Sequence, residues 1–211
     1  MTNRQLAFEK AAPGIIENLK KRNMEGYHFR DCASCVKAVT DMIPAGSSIS
    51  WGGSASVTES GLMDALRTGN YTLIDRTTAK TPEEQRQLYG QAVMADYYFM
   101  SANAMTYEGE LVNIDGNGNR VACLIHGPRY VFLIIGMNKL AATLQGAFER
   151  ARTMACPPNA VRLNKKTPCA STGKCHNCLA PDSFCNQIVV TRRSGHPGRI
   201  KVFLVAEDLG F

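Results

Sequence analysis

Ser48-Ile49-Ser50-Trp51-Gly52-Gly53-Ser54 reads as a short strand running into a glycine-rich turn, and a helix follows from about Val57 to Arg67. Leu62, Ala65 and Leu66 share that helix's inner face. Strand, glycine turn and helix together form the arrangement in which backbone N–H groups face an anion. The same step also serves as a plain tight connection, so it decides the fold before it decides a ligand. Next comes Tyr71-Thr72-Leu73-Ile74-Asp75, a second strand, then a helix capped by Thr81 with Pro82 at its first position, running to about Ala95. Tyr97 to Met100 is a third strand. Strands and helices alternating at this spacing predict right-handed βαβ units and a parallel sheet.

Upstream, residues 3–24 read as helical, with Pro13 dividing two pieces and Gly26 ending the second. Asp31 caps a helix to about Met42. Downstream, Leu111–Ile114 and Arg120–Leu124 flank Asp115-Gly116-Asn117-Gly118-Asn119, the pattern of a hairpin. Tyr130–Ile135 is an apolar run of the kind buried on both sheet faces, and a helix follows from Leu140 to about Met154. Ile188–Thr191 and Ile200–Ala206 read as two closing strands joined by a turn at Ser194–Gly198. The fold class is therefore α/β: a single open, mostly parallel sheet flanked by helices, with a β-hairpin and a C-terminal cysteine-rich loop. One domain, 1–211, is expected, with N-terminal helices in 3–42 and a cysteine-rich metal-binding insertion at about 156–186.

At 211 residues, with 45% hydrophobic and 20% charged residues, the chain has the composition of an ordinary globular domain. No apolar run approaches the ~20 residues of a membrane span. Met1 to Leu19 carries Glu9, Lys10 and Glu17 without an apolar core, unlike a signal peptide, so a cytoplasmic location is expected. Of the formal charge of +6, much lies between Arg150 and Lys201, where ten Lys or Arg residues accompany one acid, Asp182. Nucleic acid is the weaker explanation, since no aromatic-interleaved motif goes with the charge. An acidic small molecule, an acidic partner or a thiolate-bound cluster would use it equally well.

Cys169-Ala170-Ser171-Thr172-Gly173-Lys174-Cys175-His176-Asn177-Cys178, continuing to Cys185, places four of the eight cysteines in seventeen residues, spaced C-x5-C-x2-C-x6-C. In a reducing compartment such thiols suit metal better than disulfides. Cys169, Cys175, Cys178 and Cys185 are the expected ligands, with Cys156 as a spare. One C-x2-C pair with further cysteines at variable spacing favours an iron–sulfur cluster, written as 4Fe–4S, with zinc as the alternative. Cys32 and Cys35 form a second C-x2-C, and Cys35 shares a face with Val39 and Met42, as a core thiol would.

Ligands of open α/β sheets bind beyond the carboxyl ends of the strands. The residues after each expected strand are Gly52, Gly53 and Ser54, Asp75 and Arg76, Asn103, and Asn138 and Lys139, to which the hairpin adds Asp115, Asn119 and Arg120. Glu59, one turn into its helix, is a further carboxylate candidate. Asn138 doubles as a helix N-cap, and Lys139, unfavourable at a helix N-terminus, is the more suggestive of the two. Such a crevice suits a small anionic or nucleotide-like ligand. No nucleophile–base pattern stands out, His126 reads as a turn residue, and catalysis is left open.

The run Gly52-Gly53-Ser54-x-Ser56-x-x-Glu59-x-Gly61 resembles the motif of the LUD domain of bacterial lactate-utilisation proteins. Gly109–Arg120, Gly127-Pro128 through Asn138-Lys139, Ala155-x-Pro157-x-Asn159 and Leu204–Gly210 are similar too. The resemblance implies a fold like that of the NagB/RpiA/CoA-transferase group. It also implies a redox or accessory role in organic-acid (lactate-type) metabolism beside iron–sulfur subunits. The expected partners are thus a small anion and a redox partner protein, with a homo-oligomer open and no membrane. A zinc-stabilised ligand-binding or regulatory protein without catalysis is the alternative.

Overall fold

Helix α1 (Asn3–Lys21) opens the chain behind a capping box in which Thr2 and Gln5 exchange hydrogen bonds. The computed structural model describes residues 1–211. Pro13 lies inside α1 without dividing it. An interior proline costs ~3 kcal/mol, and here the buried row Phe8, Ala12, Ile15 and Leu19 on either side of it offsets that cost. Strand β1 (Glu25–Phe29) follows where only the end of a helix was expected. A Cβ on Gly26 would meet Leu19 Cδ1 at 2.8 Å, so the glycine allows α1 to lie against this strand.

Helix α2 (Cys32–Asp41), capped by Asp31, leads to β2 (Ser48–Trp51). The helix expected after it is two, α3 (Ala55–Glu59) and α4 (Leu62–Thr68), broken at Gly61 with φ 78°. Strand β3 (Thr72–Ile74), helix α5 (Pro82–Val93) and strand β4 (Tyr97–Met100) follow as the sequence predicts. Next come β5 (Ala104–Thr106), β6 (Leu111–Asp115), helix α6 (Asn119–Ile125), β7 (Tyr130–Gly136) and the two-residue β8 (Leu140–Ala141). Helix α7 (Leu144–Arg150) runs through a π turn at Ala151–Ala155 into α8 (Cys156–Arg162). Short α9 (Pro168–Thr172), β9 (Gln187–Thr191) and β10 (Ile200–Val205) complete the chain.

Six strands form one parallel sheet in the order β1-β10-β7-β4-β2-β3. Its two faces can be read from β7. Val131, Leu133 and Ile135 face α1, α5 and α6, while Phe132 and Ile134 face α2, α3 and α4. The α/β architecture of a parallel sheet flanked by helices is thus as expected, but the sheet is not alone. A second sheet, β8-β5-β6-β9, stands at the carboxyl end of the first and packs on Ala147, Ala151 and Cys156.

Three further local expectations are corrected. Arg120–Leu124 is helix, not strand: Gly118 at φ 79° turns the chain into α6, and β6 pairs antiparallel with β5 and β9 instead. An apolar run this short has no period that separates a strand from a buried helix turn. The helix expected from Leu140 starts at Leu144, capped by Thr143. The two closing strands do not pair with each other. β10, buried except at Lys201, fits between β1 and β7, whereas the half-exposed β9 edges the second sheet.

Candidate functional site

Because the large sheet is wholly parallel, the turns after β2, β3, β4 and β7 emerge at the same end. There they meet the second sheet, α8 and the C-terminal residue Phe211 around a cleft of about 320 Å³. Eight of the residues singled out from sequence line it: Gly53, Ser54, Arg76, Asn103, Asp115, Asn119, Arg120 and Lys139. Gly52, Glu59 and Asn138 lie behind that lining. Gly52 is buried, and a Cβ there would meet Arg120 Cδ at 3.0 Å. Glu59 accepts from the Gly210 N–H at 2.5 Å. Asn138 accepts from Leu209 N and donates to Gly210 O, so it docks the C-terminal tail and caps no helix.

Lys139 forms the floor. Its Nζ donates to Ser56 Oγ at 2.8 Å and to Ser101 Oγ and Ala102 O, each at 3.2 Å. No carboxylate pairs with it. Burial pushes its amine down to about 7, helped by Arg150 and Arg120 and opposed by Glu59. Arg120 is held by the chain itself. Its Nε pairs with Asp115 Oδ2 at 3.2 Å, while its two Nη atoms reach Ser101 O, Asn113 Oδ1, Asn103 Oδ1 and Ile114 O. Burial lowers its pKa, and Asp115 works against that. Asp115 also accepts from Gly118 N at 2.9 Å, which fixes the turn into α6.

The cations least committed to the protein are Arg76 and Arg162. Arg76, just after β3, lies over Gly53, where a Cβ would stand 3.1 Å from its Nη2, and it forms no ion pair. Arg162 at the end of α8 reaches only neutral acceptors, Asn159 Oδ1 at 2.8 Å and Gly53 O at 3.2 Å. Asn159, Arg162 and Lys165 were not among the sequence candidates. They belong to a helix and loop that fold back over the sheet's end, and no strand-end rule points to them.

The cysteine-rich segment backs the same cleft, whose wall includes Ala155 and Phe184, the chain neighbours of Cys156 and Cys185. Those two thiols are 3.7 Å apart. Their contact, together with burial, pushes the Cys156 thiol upward, while the same contact and the nearby Arg152 pull Cys185 down. Cys175 lies 3.6 Å from Arg152 Nη2, and the buried Cys169 lies 3.2 Å from Thr167 Oγ1. Cys178 is half-buried one residue before the exposed Leu179. The donors are chemically right for a soft metal, but no three His, Cys, Asp or Glu groups converge closely enough here to hold one. Cys35 sits in the core with Val39, and Cys32 donates to Glu207, so neither joins the other thiols. His126 ends α6, exposed. No helix is long and apolar enough to cross a membrane.

A family model described as the LUD domain matches residues 13–205. A DUF162 family protein from Deinococcus radiodurans is similar in structure, with TM-score 0.54 and 11% identity over 97% of this chain and 99% of that one. A weaker likeness is to eIF2B delta from Chaetomium thermophilum, with TM-score 0.37 and 16% identity over 57% of this chain and 54% of that one. No curated protein matches the sequence.

Proposed function

The chain belongs to the LUD-domain family, and from that premise we propose that it binds a small organic anion in the cleft at the strand ends. The role that fits this is a redox or accessory one in organic-acid, lactate-type metabolism. The observation that carries the reading is the unpaired Arg76 facing Arg162 across Gly53, above the buried amine of Lys139. Two guanidinium groups without carboxylate partners favour a carboxylate or phosphate, which each can hold through paired N–H donors. Ser54 and the amides of Asn119 and Asn159 add neutral donors on the same wall. Lys139 can hold or release a proton near neutrality at the floor of that space. The reading is tested by calorimetric titration of the full chain with lactate, pyruvate and inorganic phosphate at low ionic strength. Binding of at least one at sub-millimolar concentration, weakened by added salt, is the expected result. No binding of any of the three up to ten millimolar overturns it.

A metal centre in the cysteine-rich segment is the second part of the proposal. Its support is the nearness of the thiols to the cleft wall at Ala155 and Phe184 and the soft donor chemistry of Cys169, Cys175, Cys178 and Cys185. An iron–sulfur cluster there would supply one-electron chemistry beside the bound acid. Zinc would instead tie the segment to α8 and make it structural. Since no three donors converge before a metal arrives, uptake of either would have to draw the segment together.

A further inference from the structure

We propose that the apolar pocket beside the cleft takes a flat apolar or aromatic group belonging to the same ligand whose charged head occupies the cleft. This rests on the anion reading above and names the class of ligand: an aryl-bearing organic acid or phosphate ester.

The pocket lies between α5 and α6 over the sheet, with a volume of about 190 Å³. Its walls are Trp51 at the end of β2, Tyr98 of β4, Tyr89 and Val93 of α5, and Ala122 and Cys123 of α6. An apolar cavity of about 150 Å³ is enough to hold benzene. Protein interiors are otherwise filled to crystal density, so a void here forfeits contacts that the rest of the core keeps. Ala122 is exposed, so the pocket has a side chain at its rim that can be enlarged without touching the core.

The two residues it shares with the cleft decide what the pocket is for. Arg76 and Asn119 line both spaces, so one ligand could touch both residues from either side. A guanidinium in this position pairs with an anionic head through its N–H edge and lies against a ring through its flat face. Cys123 and Tyr98, buried at the back, present no charge: burial pushes the thiol up to about 11 and the phenol well above its usual range. Ordinary inorganic anions gain nothing from such a surface, whereas a ring gains by burial.

The test compares matched pairs on the full chain by calorimetry: lactate with 3-phenyllactate, and inorganic phosphate with phenyl phosphate. The ring-bearing member of whichever pair binds is expected to bind at least tenfold tighter. Ala122→Trp, which fills the pocket from its rim, should cut that advantage below threefold while leaving the small member's affinity within twofold. Val93→Phe fills it from the opposite wall and serves if the first variant melts early. Binding of the small anions with no gain from the ring overturns this inference and leaves the anion reading standing. A gain that survives both filling substitutions also overturns it. If none of the four compounds binds, this inference falls, and the anion reading falls with it when pyruvate also fails to bind.

Discussion

Lys139 Nζ lies 2.8 Å from Ser56 Oγ, tying the turn after β7 to helix α3 beneath the cleft. The two residues are 83 positions apart in sequence, and the contact exists because parallel strands deliver both turns to one end of the sheet. The acceptors around the amine, Ser56 Oγ, Ser101 Oγ and Ala102 O, are neutral oxygens. A buried ammonium stabilised only by dipoles gives up its proton more readily than one paired with a carboxylate.

The folded-state pKa of about 7, against 10.5 for an ordinary lysine, sets a window for stability. Between those values the folded chain holds about one proton fewer than the unfolded chain. Stability therefore rises with pH across the window, by at most about 1.4 kcal/mol per pH unit from this residue. Below pH 7 both states are protonated and the cost of the buried charge is fully present. Urea unfolding of the native chain at pH 7, 8 and 9 should show this rise, and Lys139→Met should flatten it. An unchanged slope in the variant would remove Lys139 as its source.

An anion arriving beside this amine favours the charged form, so binding should draw a proton from solvent. The uptake is expected to approach one proton per ligand at pH 8 and to fall toward zero at pH 6, where the amine is already charged. Titrations in two buffers of different ionisation enthalpy measure it directly. Loss of the uptake in Lys139→Met would assign it.

Arg120 and Asp115 behave differently, because the protein uses them on itself. Arg120→Ala leaves the Asp115 carboxylate buried without its cation, a change of about 3–5 kcal/mol in stability. Asp115→Asn in the same chain removes the stranded charge and should recover a good part of that loss. Denaturant midpoints of the two single variants and the double variant decide it. Additive losses would mean that the pair is not coupled.

The parallel sheet was legible because its strands are short apolar segments separated by capped helices, and β7 is an unbroken run from Val131 to Ile135. Arg120–Leu124 was not, since four apolar residues after an Asp-Gly and an Asn-Gly step suit either a strand or a helix turn. What decided it was Gly118, whose N–H is taken by Asp115. The strand β1 carries only half-buried residues at the sheet edge and so shows no alternation to read. At the site, most of the candidates that follow strands line the cleft because topology gathers strand ends. Which cation is free is a different matter. The oxygens that occupy Arg120 and Lys139 include main-chain carbonyls of Ser101, Ala102 and Ile114, and carbonyls look alike in every sequence.

Arg76 should therefore be the residue whose loss affects binding without affecting the fold. It has no ion pair to break, so Arg76→Ala is expected to change stability by no more than about 0.5 kcal/mol. The same variant should weaken the small anions by at least tenfold. Arg76→Lys keeps the charge but not the paired donors, and should recover only part of the affinity. Equal affinity in the native chain and Arg76→Ala would place the anion elsewhere in the cleft.

The cysteines separate along the same line of reasoning. Chain purified without oxygen is expected to be brown, with iron and acid-labile sulfide in cluster stoichiometry. Cys175→Ser or Cys169→Ser should bleach it. Cys156 lies 3.7 Å from Cys185, close to the ~3.8 Å that two thiolates 2.3 Å from one tetrahedral ion would span, so its substitution tells the two metals apart. If the metal is a single zinc held partly by Cys156, Cys156→Ser lowers zinc content and melting temperature together while Cys178→Ser changes neither. If it is a cluster on the four clustered cysteines, the sensitivity is reversed: Cys178→Ser loses the colour and Cys156→Ser keeps it. Metal-free chain with the native melting temperature, obtained under both anaerobic and zinc-supplemented conditions, would leave the segment as packed thiols.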